Sequence, residues 1–229
     1  MNVLEVRDQG LYCKPGNFYI DAWAPVSLSI ITHAHSDHAR FGHKHYIATK
    51  NTADIFRRRI GTDCPVETWD YEKKVKVGNC WVSLHPAGHI LGSAQIRIET
   101  QNKVCVISGD YKRAPDPTCE PFSLIECDIF VTESTFGLPI YQWEEAETTV
   151  KNILEWWRAN KAKGLASVLF CYALGKAERL LALLQNSLDQ PIYVHGAFCL
   201  SLIFTAKKGY LWHLICPSKI KREGAILET

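Results

Sequence analysis

The sequence predicts a mixed α/β (α+β) fold, on three observations. Up to about residue 140, short β-branched and aromatic runs alternate with Gly, Pro, Asn and Asp. From about residue 141 the apolar spacing becomes helical. Strand, helix and strand patterns then follow with short links, the mark of a βαβ unit on a parallel sheet.

In order along the chain, the β-like runs are 28–32, 45–48, 75–77, 81–86, 94–99, 103–108 and 129–132. One helix interrupts them at 51–60, with Asn51 or Thr52 as its cap. Residues 144–163 place Ala146, Val150, Ile153, Leu154 and Trp157 on one helical face, and Gly164 stops that helix. An apolar run at 166–172 suits a buried strand, 176–185 is helical again, and 191–195 is a last strand. Residues 198–229 sustain neither period and lack the local consistency of the rest. There is no internal repeat and no low-complexity segment.

The chain has 229 residues, 26 basic against 24 acidic, for a net charge of +2. That balance gives no case for a nucleic-acid-coating protein or an acidic tail. Hydrophobic residues make up 47% and charged residues 22%, which excludes global disorder, and a chain this long can bury a core without disulfides. No apolar run approaches the roughly 20 residues of a membrane span, and the first residues show no signal-peptide pattern. The nine cysteines are odd in number, irregularly spaced and never C-x-x-C. They read as reduced thiols in a cytoplasmic protein.

The densest chemistry is Thr32-His33-Ala34-His35-Ser36-Asp37-His38. Three histidines and an aspartate follow an apolar strand, where a loop can turn all four toward one point. Imidazole and carboxylate suit Zn²⁺ or Mn²⁺. His33 and His35 can bind one ion; Asp37 and His38 are placed for a second. In Pro86-Ala87-Gly88-His89-Ile90-Leu91-Gly92-Ser93-Ala94, His89 follows another strand, and Gly88 permits the tight turn. Asp110 of Ser108-Gly109-Asp110-Tyr111 ends a third strand, where a carboxylate could bridge two cations. Asp21, after Phe18-Tyr19-Ile20, is placed to hold the histidine loop through hydrogen bonds.

The order Asp21, His33-x-His35-x-Asp37-His38, His89, Asp110 resembles the metallo-β-lactamase superfamily. That resemblance implies an αββα sandwich with a two-metal site at one edge of the sheets. Gly88–Ala94, Ser108–Tyr111 and Thr132-Glu133-Ser134-Thr135-Phe136-Gly137 resemble the β-CASP nucleases, which act on DNA or RNA phosphodiesters. Longer phrases, among them Ala114-Pro115-Asp116-Pro117-Thr118-Cys119 and Tyr172-Ala173-Leu174-Gly175-Lys176, resemble the bacterial ligase-associated DNA exonucleases, a group also described as mRNA 3′-end processing factors. The likeness runs from about residue 3 to Ala197. It implies a core over 1–140, the start of an inserted β-CASP α/β domain over 141–197, and an atypical tail over 198–229.

By that resemblance, His33, His35 and His89 bind one metal, Asp37 and His38 the other, and Asp110 bridges them. Two cations about 3.5–4 Å apart can clamp the attacking and leaving oxygens of a phosphodiester and lower the pKa of a water toward neutrality. Asp37 would orient that water, and Glu133 would orient a later histidine acting as general acid. Two later histidine motifs of the family do not occur in 198–229. His195 comes too early to replace them, and His213 has no motif around it. The expectation is a truncated or frame-shifted ending, with one ion at most held tightly, weak catalysis or none, and an incomplete sandwich. The substrate is expected to be DNA, with RNA as the nearest variant, and a functional link to a DNA ligase and helicase is implied. A small-molecule metallo-hydrolase is disfavoured by the Glu133 motif. Lys112-Arg113 follows Asp110 and could meet a phosphate, whereas Arg57-Arg58-Arg59 and Lys73-Lys74-Val75-Lys76 read as solvated faces. Trp156-Trp157 points two ways on a helix and is not read as a base-stacking pair.

Overall fold

A computed structural model describes residues 3–187, 192–195 and 214–215. Residues 198–213 and 216–229, and with them His213 and nearly all of the atypical tail, lie outside the described residues. The chain divides into two units, Met1–Ser134 and Thr135–Thr229.

The first unit is built on two sheets. β1 (Leu4–Arg7), β2 (Gly10–Cys13) and β3 (Phe18–Ile20) form an antiparallel meander. β4 (Leu28–Ile30), β5 (His45–Thr49) and β6 (Val66–Trp69) then add in parallel, giving the order β1-β2-β3-β4-β5-β6. The second sheet has the order β11-β10-β9-β8-β7. In it β7 (Val75–Val77), β8 (Cys80–Pro86), β9 (Ala94–Glu99) and β10 (Val104–Ile107) are antiparallel, and β11 (Ile129–Val131) joins β10 in parallel.

Four strands escape the sequence reading: β1, β2, β3 and β6. Three or four residues give at most two periods of alternation, too few to stand out. In β6 the pattern Val66-Glu67-Thr68-Trp69 is buried only at its ends.

The inward faces of both sheets make one core. Phe18, Ile20, Ile30 and Ile47 of the first sheet meet Val82, Leu84, Ile96, Ile98 and Ile107 of the second, all buried. Each such side chain contributes about 1.5–3 kcal/mol of burial. α1 (Lys50–Ile60) covers the outer face of the first sheet, with Ala53 and Phe56 packed on Ile31, Tyr46, Ala48 and Val66. Its cap is Thr49, the last residue of β5, and not Asn51 or Thr52: the Thr49 hydroxyl accepts from the Thr52 N–H at 3.2 Å. β5 therefore runs directly into the helix. The outer face of the second sheet carries Gln95, whose amide donates to the carbonyls of Pro86 (3.0 Å) and Ser123 (2.7 Å). The layers of this unit are thus helix, sheet and sheet, with no helix on the second sheet's outer face among the described residues.

The second unit holds α2 (Ala146–Ala162), α3 (Lys176–Leu184) and a two-stranded parallel pair, β12 (Ile192–Tyr193) with β13 (Leu214–Ile215). Gly164, in the left-handed region, follows the end of α2. The expected strand at 166–172 does not form. Val168 is 63% and Phe170 94% exposed, and no ladder pairs this run among the described residues. Apolar composition without a neighbouring strand gives no backbone bonds to fix it. No helix among the described residues is long and apolar enough to cross a membrane.

Candidate metal centre

The chemistry-bearing residues leave the C-terminal ends of strands that reach one rim. Asp21 follows β3, the His33–His38 loop follows β4, His89 follows β8 and Asp110 follows β10. A backbone bond from the Ala94 N–H to the Thr32 carbonyl, 2.7 Å, ties the two sheets together at that rim. Gly109 makes the approach possible. Its φ is +55°, and a Cβ there would lie 2.6 Å from the Thr32 Cβ.

His33, His35, His89 and Asp110 bring four ligand atoms within 4.8 Å of one another. His33 Nε2 and His35 Nδ1 are 3.1 Å apart, and His35 Nδ1 and His89 Nε2 3.3 Å. Asp110 Oδ2 stands 3.6 Å from His89 Nε2 and 3.8 Å from His33 Nε2. Four donors around one ion, with bonds of about 2.0–2.1 Å in a tetrahedron, lie about 3.4 Å apart. The observed separations straddle that value, so the residues fit a small divalent cation.

A second donor group lies on the other side of Asp110. Its Oδ1 is 3.3 Å from His38 Nε2, which is 3.7 Å from Asp37 Oδ2. One carboxylate therefore offers each oxygen to a different set of imidazoles. Asp37 is 72% exposed at the mouth of the site, while His33 is fully buried.

Asp21 sits behind these groups. Its Oδ1 accepts from the Thr32 N–H at 2.8 Å, and its Oδ2 accepts from the Thr32 hydroxyl at 2.5 Å and faces His38 Nδ1 at 2.8 Å. Its φ is +44°, a left-handed conformation that a non-glycine residue adopts only when its surroundings enforce it. Burial works against a charge on His38, but the Asp110 and Asp21 carboxylates outweigh it and push its pKa up to about 10. Hydrogen bonding to His38 in turn lowers the Asp110 pKa against the opposing effect of burial. Burial, and then the neighbouring His38, His89 and His35, hold the His33 pKa well below that of a free imidazole.

Several positioning groups carry no motif of their own. The Ser93 hydroxyl accepts from the N–H groups of His89 (3.1 Å) and Ile90 (3.2 Å), closing the turn that aims His89. Thr32 links Asp21 to His33, its hydroxyl lying 3.0 Å from His33 Nδ1. The Gly92-Ser93 pair was the available signal for the first; a threonine at a strand end gives none for the second.

The remaining sequence-predicted residues lie around this cluster. Glu133 follows β11, whose end is tied to that of β10: Ile107 pairs with Val131, and the Ser108 N–H bonds the Val131 carbonyl at 2.9 Å. Lys112 turns its ammonium to the carbonyls of Ala114 (3.0 Å) and Pro115 (3.1 Å), and Arg113 is exposed. His195 is exposed and follows β12 in the second unit. In the arginine run Arg58 and Arg59 are exposed, as expected of a solvated face, but Arg57 donates to the Val66 carbonyl at 2.6 Å and Arg59 to two carbonyls of the histidine loop.

Several proteins are similar to this chain in sequence. A probable DNA ligase of Opitutus terrae is 31% identical over 188 residues, covering 81% of this chain and 18% of its own length. An RNase J-like protein of Methanocaldococcus jannaschii is 26% identical, over 75% of this chain and 48% of its own. The endoribonuclease YSH1 of Eremothecium gossypii is 28% identical, over 55% and 16%. The likeness to these relatives, together with the His/Asp cluster, supports the resemblance to the metallo-β-lactamase superfamily and its β-CASP group read from the sequence. The chain spans less than half the length of each of these three relatives. No family model matches it. A crystal structure of an Enterococcus faecalis protein of unknown function shares the fold, with a TM-score of 0.56 at 14% identity, over 85% of this chain and 52% of that one. The metallo-β-lactamase arrangement thus accounts for a divalent-metal donor set at the rim of two sheets.

Proposed function

We propose that this chain carries the metal centre of a metal-dependent phosphodiesterase acting on nucleic acid, and specifically of a DNA exonuclease of the ligase-associated β-CASP type in DNA repair or end processing. The observation that carries the reading is Asp110, whose two oxygens face two separate donor groups. His33, His35, His89 and Asp110 would hold one ion, and Asp37, His38 and Asp110 a second, with zinc or manganese suited to these donors. When bound, such ions supply Lewis acidity to the phosphodiester and make a water acidic near neutral pH. The protein's own residues do the rest. Asp37, open to solvent, accepts a hydrogen bond from the incoming water. Asp21 keeps His38 in its orientation. Glu133, which follows β11, would orient a proton donor for the leaving oxygen. Arg113 is free to approach a backbone phosphate more readily than Lys112, whose ammonium is engaged.

DNA is favoured over RNA by the relative named as a probable DNA ligase, which matches over most of this chain; the names of the other two support RNA as the second reading. A ligase and a helicase are the proposed functional partners. The seven described cysteines are thiols, which supports a reducing, cytoplasmic setting.

The test is end-labelled DNA and RNA oligonucleotides incubated with the chain and Mn²⁺ or Zn²⁺, beside a chromogenic lactam and a thioester. Stepwise shortening of DNA that chelator and His89→Ala both abolish is the expected result. Shortening of RNA alone would move the assignment to the RNA variant. Turnover of only the small substrates would overturn it.

A further inference from the structure

α1 reaches both ligand loops, one at each end. At its start, the hydroxyls of Thr49 and Thr52 both donate to the Gly92 carbonyl, at 2.7 and 2.9 Å, within the turn that carries His89. Ten residues on, about 15 Å along the helix, Arg59 Nη1 donates to the Ala34 carbonyl at 2.8 Å and Nη2 donates to the Ala39 carbonyl. Those two carbonyls bracket His35, Asp37 and His38. Between them the loop makes its own tight turn, in which the N–H groups of Ala39 (2.8 Å) and His38 (3.2 Å) donate to the His35 carbonyl, and it is held besides by His38 Nδ1 against Asp21 (2.8 Å) and by Arg40 Nε donating to the Asp37 carbonyl (3.3 Å). No strand ladder holds it. Arg57, on the same helix, turns elsewhere, to the Val66 carbonyl and toward Asp54.

We propose that Arg59 is a positioning residue of the metal centre: its guanidinium fixes the separation of the Ala34 and Ala39 carbonyls, and through α1 it sets the His35–His38 loop in register with the His89 turn. This rests on reading the cluster as a metal centre. A guanidinium presents donors on separate nitrogens in a rigid plane, so two carbonyls bonded to it cannot drift independently. An ammonium keeps the charge but is a single point on a flexible stem, and does not impose that spacing. Partial burial of the Arg59 guanidinium against the loop works against its charge and the Asp37 carboxylate favours it, although the residue as a whole is exposed, so the fork also sits where the loop's charge favours it.

The experiment compares the full chain with Arg59→Lys, Arg59→Ala and, as a control that also loses a carbonyl bond of α1, Arg57→Gln. Amide exchange over residues 33–40 is measured without metal. Co²⁺ affinity is measured by competition with a chelator. In Arg59→Lys, exchange in the loop rises at least tenfold and Co²⁺ affinity falls about 10–100-fold, while Arg57→Gln changes neither. Millimolar methylguanidinium restores Co²⁺ affinity to Arg59→Ala, which a general folding defect would not permit. Wild-type exchange and affinity in Arg59→Lys, or equal losses in Arg57→Gln, would overturn the proposal. If the unaltered chain binds no Co²⁺, the metal-centre reading fails, and the exchange comparison alone then decides the role of Arg59.

Discussion

Replacing Asp21 with Asn removes one charge and keeps the side-chain shape, which isolates what the carboxylate does behind the histidine loop. In the native site it accepts from the Thr32 N–H (2.8 Å) and the Thr32 hydroxyl (2.5 Å) and faces His38 Nδ1 (2.8 Å). An asparagine oxygen can retain the first. Its NH₂ then confronts either the Thr32 hydroxyl or the His38 ring, so the charge-assisted bond to His38 is lost, at about 1.5–3 kcal/mol, and part of one neutral bond is regained. A net loss near 2 kcal/mol follows, and for a chain of this size that lowers Tm by about 4–8 °C. Asn tolerates the left-handed backbone that Asp21 adopts, so backbone strain adds little. Released from its anchor, His38 should bind metal about 10–100-fold more weakly. Calorimetry of the chelator-treated protein and Zn²⁺ competition titration read the two effects separately. A Tm within 1 °C of wild type together with a Zn²⁺ affinity within twofold would refute the reasoning, because the carboxylate would then be a turn residue and nothing more.

Three further outcomes follow from the same geometry. Gly109→Ala forces a Cβ to 2.6 Å from the Thr32 Cβ in a left-handed backbone; equilibrium denaturation should show a loss of at least about 2 kcal/mol and metal titration a weakened site. Thr49→Val removes both the α1 cap and a bond to the Gly92 carbonyl, so about 1–3 kcal/mol should be lost in urea unfolding, with weaker Co²⁺ binding because His89 is held by that turn. His43 is 5% exposed, and burial lowers its pKa below that of the unfolded chain. Below about pH 6.5 the unfolded state then binds more protons, so stability should fall as the pH drops from 6.5 to 5. Urea midpoints across that window should lose part of this slope in His43→Asn, and an unchanged slope would remove His43 from the account.

The site was more legible than the fold that presents it. His33, His35, Asp37, His38, His89 and Asp110 stand out because residue type and spacing after a strand are local properties. The strands β8 and β9 are legible for a related reason: their runs of seven and six residues are long enough to show a buried face. β1, β2, β3 and β6 were not, being held by neighbours in the sheet and not by their own pattern. The run at 166–172 shows the converse, since apolar composition alone does not create a ladder. Arg59 was read with its neighbours as a solvated run, because one-dimensional charge patterning cannot say that a helix end lies under a loop with bare carbonyls.

The charge arrangement explains why this cluster is organised to take cations. Neutral imidazoles alone would neither attract a cation strongly nor resist collapsing on one another. Here His33 is kept neutral by burial and by the rings around it, so its Nε2 lone pair is available. His38 is driven to carry a proton, by Asp110 and Asp21. Three carboxylates, Asp21, Asp37 and Asp110, thus face the His38 ring, with Arg59 at the edge. A divalent cation that displaces the His38 proton would satisfy Asp110 and Asp37 together and leave Asp21 to orient the neutral ring. Strand ends, a left-handed aspartate and a helix spanning two loops place those charges before any ion arrives, so binding requires little rearrangement of the backbone.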